Sequence, residues 1–383
     1  MGTWVLGPRA SSSRDPGARR EKPVNAPAEL LIDTPAGLAR VTTPAPRDVW
    51  WELAGKDPDT NPSQTPLWLD CLCATGPYRD ASRLYEFERG RRLVLPLVGR
   101  RRRPRILDAE ESWPAQWGIG GPVCPESVSP AEARAVFADL ARLRALRVAV
   151  RLRPADQAVW ADAATGFSLE PHMTQMVDLD GGFGAVWERR IGRRMRREVR
   201  RAERSDVEVE VDRTGRLVPV FYDLYRKSIV RWAEQQHEPL ALARRRRTRE
   251  FPEKRLAEVA ARLGDGCAIW MAWRAGEPAG ACIVLRHGGH AKMWRSAMDR
   301  ELAHPVRAVP LLYRLAIEDA CEASCRTFDM GESAPRSSLA EFKAGFGAES
   351  FRSPRLLRER LPVSAADRRL RTAVKRLIRF QDP

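Results

Sequence analysis

Three residues in the last third of the chain combine the types and spacing that amide chemistry would use. Asp329 and Glu332 lie in Phe328-Asp329-Met330-Gly331-Glu332-Ser333, and Lys343 follows in Leu339-Ala340-Glu341-Phe342-Lys343-Ala344-Gly345-Phe346-Gly347-Ala348. The first stretch reads as a strand, Thr327–Met330, that runs into a polar loop; the second reads as a helix over Ser338–Ala344. Loops beyond strand ends are where sites form in open α/β sheets. Either carboxylate could accept a proton from an amine or hold its ammonium, and either also suits an Asx turn or the acid at a helix start. An ammonium at Lys343 could meet a phosphate or a developing oxyanion; a surface Lys on a helix is the plain alternative. Only seven of the 66 basic residues are Lys, so a Lys in this motif stands out.

Other candidates are basic or aromatic. Trp294 and Arg295 lie on the third strand of a predicted meander. There Trp could wall a channel and Arg could meet a phosphate, and core packing accounts for Trp294 as well. From Trp187 to Arg204, apolar residues at Trp187, Ile191, Met195, Val199 and Ala202 predict one striped helix. The rest of it carries nine Arg and three Glu. About 27 Å of such a helix spans several phosphates, with Arg193, Arg194, Arg197 and Arg200 as the candidate contacts. Lys227 and Arg231, four apart on a helix, could extend the patch. The runs Arg244–Arg247 and Arg100–Arg103 read as solvated loops. The net charge of +16 suits tRNA, nucleotides or lipid headgroups. A high-GC coding bias towards Arg accounts for the same excess.

These residues need a scaffold, and the sequence reads as the same pattern twice. In the first half, Arg47–Leu53 and Thr65–Cys71 are helical, and Arg83–Glu88 with Arg91–Val98 forms a hairpin. A helix opens at Ser129-Pro130, with Ser as N-cap and Pro at the first helical position. The strand Val148–Leu152, the helix Ala155–Ala164 and the strand Thr174–Leu179 follow. The second half gives the strand Val207–Val211, helices Leu217–Trp232 and Arg249–Leu263, and the meander Cys267–Trp273, Ala279–Leu285, His290–Met298. A helix, Val309–Ala323, and a last strand near Ser350–Leu357 complete it. The expected division is a disordered extension over 1–28, an N-terminal domain over 29–185, a C-terminal domain over 186–358 and a basic amphipathic tail over 359–383. The tail is expected to pack on the body or to lie on an anionic surface. The N-terminus lacks an apolar run of signal-peptide length and no stretch nears the length of a membrane span, which predicts a cytoplasmic protein with no stable membrane insertion. Seven scattered Cys and five His form no ligand spacing, so no metal is expected.

The second-half motifs resemble the closing signature of FemAB-like and related GNAT-type transferases, in which a strand ending in Asp-x-Gly precedes a polar loop and then Phe-Lys and Phe-Gly. Asn61-Pro62 before Trp68-Leu69, and Trp117-Gly118 before Gly120-Gly121-Pro122, are similar to the first domain of that family. The resemblance covers about residues 45–355. It implies an α/β fold of tandem GNAT-like domains, each a mixed, mostly antiparallel sheet flanked by helices. It also implies a bacterial enzyme that forms an amide bond on an amine acceptor: a cell-wall peptide, a natural product or an amino sugar. Lys343, Asp329 and Glu332 would be catalytic. Trp294, Arg295, Ser333, Phe342, Lys227 and Arg231 would bind donor or substrate, and Arg193, Arg194, Arg197 and Arg200 would bind tRNA. No cofactor is expected beyond aminoacyl-tRNA as co-substrate, with acetyl-CoA as the alternative donor and a non-catalytic GNAT-fold binding protein as a further alternative. The stretch Asp299–Arg307 stands where acetyl-CoA enzymes of this type carry a Gly-rich pyrophosphate turn, and it has no glycine. That favours aminoacyl-tRNA.

Overall fold

The structure is a computed structural model that describes residues 28–378 and 380, apart from 35, 102–106 and 115. The expected extension therefore lies outside the described residues except for Ala28, as do Arg102, Arg103 and Arg105.

The fold is mixed α/β, built on three sheets. A four-stranded antiparallel sheet holds β1 (Ala28–Thr34), β2 (Gly37–Thr43), β4 (Arg83–Glu86) and β5 (Arg92–Leu95) in that order. A six-stranded sheet has the order β3 (Tyr78–Asp80), β6 (Val98–Arg100), β7 (Ala109–Glu111), β8 (Arg147–Arg151), β17 (Arg355–Glu359), β9 (Ser168–Glu170). A seven-stranded sheet runs β11 (Val207–Asp212), β12 (Cys267–Arg274), β13 (Glu277–His287), β14 (His290–Met298), β15 (Thr327–Gly331), β10 (Met173–Asp178), β16 (Glu349–Arg352). Each of the two larger sheets contains one parallel pair among antiparallel ones: β7 with β8, and β14 with β15.

The helices of the first half are α1 (Arg47–Lys56), α2 (Pro66–Thr75), α3 (Pro130–Arg142) and α4 (Gln157–Ala163). Then come α5 (Gly182–Ala185), α6 (Arg193–Glu203), α7 (Val218–Gln235), α8 (Leu240–Glu250) and α9 (Glu253–Leu263). The last are α10 (Arg300–Val306), α11 (Ala308–Glu322), α12 (Ser338–Gly345) and α13 (Val363–Leu377). Local chemistry sets several starts. Ser129 caps α3 with Pro130 at the first position, as the sequence predicts, and Glu132 completes a reciprocal capping box.

Two strands cross between the halves. β10 precedes the expected division at 185/186 yet sits between β15 and β16 in the seven-stranded sheet. β17, from the end of the chain, sits between β8 and β9 in the six-stranded sheet. The single strand expected near Ser350–Leu357 is thus two strands in two sheets, hinged at buried Ser353. The expected boundaries therefore do not separate the sheets. A shared core reinforces the join: Trp50, Trp68, Leu72 and Trp117 pack with Phe221, Leu256, Ile269 and Trp294 in one cluster.

Four other expectations change. Trp187–Arg204 is not one helix, because Ile191 is extended and Gly192 caps a new helix, α6, after a short π-helical turn. Arg244–Arg247 lie on α8 rather than in a loop. There Arg246 pairs with Glu238, and Arg247 covers the Trp232 ring at 4.5 Å. The glycine-free stretch Asp299–Arg307 folds as α10, capped by Asp299. Finally, α13 buries no residue and does not pack on the body. No described helix is long and apolar enough to cross a membrane.

Candidate functional site

The site grows from the parallel pair β14 and β15. Lys292 stands opposite Asp329 in register, and the pairing ends there. Alternation along β15 sends Phe328 and Met330 into the core and Asp329 to the other face. Asp329 is buried, and it accepts from Lys292 Nζ, from Thr174 Oγ1 at 2.7 Å and from the Gly331 N–H at 2.7 Å. Burial works against its charge, but the Lys292 ammonium outweighs that and, with the Thr174 and Gly331 donors, holds the carboxyl below its usual value. Asp329 is therefore ionised and saturated, which suits an electrostatic role better than that of a proton acceptor.

The loop after β15 is clamped at every turn. Gly331 takes a left-handed conformation at φ 75°, which favours glycine. Lys343, only 2% exposed, turns inward from α12 and donates to the carbonyls of Gly331 at 3.0 Å and Glu332 at 2.8 Å. Burial pulls its ammonium down to about 8. Glu332 pairs with Arg151 of β8 and with His172 Nδ1 at 3.3 Å, which ties the loop to the first half. Although burial opposes its charge, His172 and Arg151 hold it at about 2. Ser333 donates to buried Gln175 on β10. Phe342 packs edge-on to Tyr313, with ring centroids 5.1 Å apart.

A cavity of about 400 Å³ opens between the halves beside this cluster. The wall from the seven-stranded sheet is Lys292, Asp329, His290, Met176 and Phe351; the opposite wall includes Asn61, Pro62, Ile119 and Arg153. The two motifs read from the first half thus meet the second-half motif here or in the core beneath. Asn61 and Pro62 line the cavity, while Trp117 accepts the Trp68 indole N–H at 2.9 Å. His290 is hydrogen-bonded at both nitrogens. Pro58 O can only accept, so Nε2 carries the proton and Nδ1 accepts from Thr327. Burial lowers its proton affinity, so it stays neutral.

The predicted residues fall into three groups. Asp329, Glu332, Ser333, Phe342 and Lys343 come together around the loop. Trp294, Arg295, Lys227 and Arg231 do not join them. Trp294 is the extra residue of a β-bulge, since the pairing with β13 steps from Met293 to Arg295. Its ring lies 5.1 Å from each of Trp68, Trp117 and Phe251, inside the core that joins the halves. Arg295 lies over Phe251 at 5.0 Å and donates to Gln116 O at 3.1 Å. Lys227 pairs with Asp299 at 2.8 Å, and Arg231 donates to Met298 O at 3.0 Å, both at the far end of β14. These contacts place the four apart from the cluster around Asp329 and Lys343.

The third group is α6. Met195, Val199 and Ala202 are buried, while Arg193, Arg194, Arg197 and Arg200 are exposed, with no ion pair among the described residues. Gly192, at the head of α6, donates its N–H to Gly345 O at 2.9 Å, two residues past Lys343. The arginine face therefore starts beside the loop. Sequence reasoning missed Lys292, Thr174, Arg151, His172 and Gln175 as site residues. Of these only Lys292 carried a signal, as one of seven Lys in the chain, two residues before Trp294-Arg295.

Residues 189–344 match the family model described as an acetyltransferase (GNAT) domain. Among solved structures, FemX aligns with a TM-score of 0.61 at 13% identity, over 82% of this chain and 96% of that one. A protein of unknown function from Bacteroides thetaiotaomicron aligns at 0.51 and 9%, over 86% and 99%. A tandem GNAT protein from the clavulanic acid biosynthesis pathway aligns at 0.48 and 16%, over 81% and 93%. At these identities the likeness is one of fold. No curated protein matches the chain. The expected family and tandem-GNAT fold agree with these findings.

Proposed function

We propose, from the match of residues 189–344 to the GNAT acetyltransferase domain model, that the chain is an acyltransferase that moves an amino acid from aminoacyl-tRNA onto an acceptor amine in the cytoplasm. The amine nitrogen attacks the ester carbonyl and the C–N bond forms. The bond to the ribose oxygen breaks, and the proton shed by the amine ends on the released hydroxyl. One observation carries the donor: the unpaired arginines of α6 begin at Gly192, which is hydrogen-bonded to Gly345 beside the Lys343 loop. Phosphates laid along α6, at a helix start with no side-chain cap, would lead the acylated end to that loop. The helix α10 where a pyrophosphate turn would stand supports the same donor.

Within this reading Lys292 is the catalytic cation. It lines the cavity and can meet the oxyanion, with Asp329 fixing its position. Lys343 is a positioning residue that holds the loop through two carbonyls. Lys292→Met should lower kcat by about a hundredfold with KM little changed. Lys343→Met should be rescued in part by Lys343→Arg, as a cation that grips carbonyls requires. If all three variants were silent, the fold would serve binding alone.

The donor is tested by titrating deacylated tRNA and acetyl-CoA across salt. Arg193→Ala with Arg197→Ala should weaken tRNA binding and reduce the log–log salt slope by about 1.5. Saturable acetyl-CoA binding, with tRNA binding erased at physiological salt, would overturn the donor assignment and leave an N-acetyltransferase.

A further inference from the structure

The C-terminal helix has a design that the transferase reading does not use. α13 begins two residues after exposed Leu361, and its start is fixed. Glu359 on β17 accepts from the Ser364 N–H with both oxygens at 3.1 Å, and from Ser364 Oγ at 2.7 Å. Arg368 then pairs with Glu170 on the edge strand β9 at 2.7 Å. Beyond these ties, over residues 369–377, the helix runs on for about 13 Å and buries no residue.

Its two faces are chemically opposite. Val363, Ala366, Leu370, Val374 and Leu377 recur at three and four residues and share one side. Among the described residues that side is largely uncovered: Leu370 is 64% exposed and Leu377 is 84% exposed. Arg368, Arg369, Arg371, Lys375 and Arg376 occupy the flanks and back, against the single acid Asp367. Exposed leucines on a fixed helix are unfavourable in water, so the face suits a surface that the described residues do not supply.

We propose that α13 is an interfacial helix that seats the enzyme on an anionic lipid surface, with Leu370, Val374 and Leu377 in the headgroup–acyl boundary and the basic flanks on lipid phosphates. Charge complementarity selects this occupant. A second copy would bring the same five cations against the first, whereas an anionic bilayer offers both apolar depth and phosphates. Such a helix lies in the interface and does not span. The proposal is independent of the donor, since it rests on α13 alone, and it implies an acceptor amine presented at a membrane.

Co-sedimentation tests it with the full chain and two vesicle types, phosphatidylcholine alone and the same lipid with roughly one third phosphatidylglycerol. The protein should sediment with the anionic vesicles and not with the neutral ones. Leu370→Glu with Leu377→Glu should weaken that binding by at least about tenfold. Arg369→Gln with Arg376→Gln should weaken it most at low salt, where screening is least. Because α13 buries no side chain, both variants should keep the wild-type melting temperature. Three results would overturn the proposal. One is wild-type protein that ignores anionic vesicles. Another is a leucine variant that sediments like wild type, which would hand the binding to the α6 arginines. The third is a vesicle-independent dimer that the leucine variant dissociates, which would make the face a contact between copies.

Discussion

Lys343 trades water for two backbone carbonyls, and the trade has a measurable signature. Burial pulls its proton affinity down to about 8, while the unfolded chain holds that proton up to the ordinary 10.5. Between those values the unfolded state binds more protons, so stability rises with pH. Wild type should gain up to about 3 kcal/mol over Lys343→Met from pH 8 to 10.5, read by urea unfolding at both ends. A gap that stays constant across the window would contradict a buried ammonium. Glu332 runs the other way. Its depressed carboxyl stabilises the fold above the ordinary 4.5, and that contribution fades as pH falls towards 2. Its side chain is 50% exposed, which limits the effect to less than about 1 kcal/mol. Glu332→Gln should therefore melt slightly below wild type at neutral pH and coincide with it near pH 2. Asp329, Glu332 and Lys343 were legible in the sequence because one local motif carries them. Thr174, Arg151 and His172 were not, since they arrive from strands and loops more than 150 residues away and only sheet register brings them in. Trp294 was ambiguous, since a strand residue facing the first half can line a cleft or fill a core, and here Trp68, Trp117 and Phe251 surround it.

At the scale of elements, the exchange of β10 and β17 decides how the halves stand or fall. Leu356 on β17 is 1% exposed in the first-half core although it belongs to the end of the chain. Leu356→Ala should cost about 2–5 kcal/mol. The loss should show in a single unfolding transition, because each large sheet holds a strand from the other half. Two separate transitions would contradict that coupling. Truncation after residue 361 removes only α13 and should leave the transition unmoved, whereas truncation after residue 354 should abolish it. The α3 capping box and the meander could be read from sequence because caps, turns and alternation are local. Strand exchange could not, since a strand's own residues do not say which sheet edge will accept it. The break in the striped segment had one local sign, Gly192, and a 3.6-residue count ran straight through it.

At the scale of the molecule, α6 meets the end of α12 through Gly192 and Gly345, and the cavity is lined by Lys292 and Asp329 on one side and Asn61 and Arg153 on the other; under the proposed function these would serve as donor path and reaction chamber. The net charge of +16 suits a phosphate-bearing partner, and a coding bias towards Arg accounts for it as well. The structure divides that charge into arginines spent on ion pairs, such as Arg246 with Glu238 and Arg368 with Glu170, and those left exposed and outside any ion pair among the described residues, such as Arg193, Arg194, Arg197 and Arg200 on α6. The most direct test is transfer itself. Bulk charged tRNA with labelled amino acids, or labelled acetyl-CoA, is incubated with enzyme and a panel of small primary amines, and alkali-stable amide product is counted. The account predicts enzyme-dependent amide from aminoacyl-tRNA, lost with Lys292→Met and reduced with Arg193→Ala/Arg197→Ala. Labelled amide from acetyl-CoA alone, unaffected by the α6 substitutions, would contradict it.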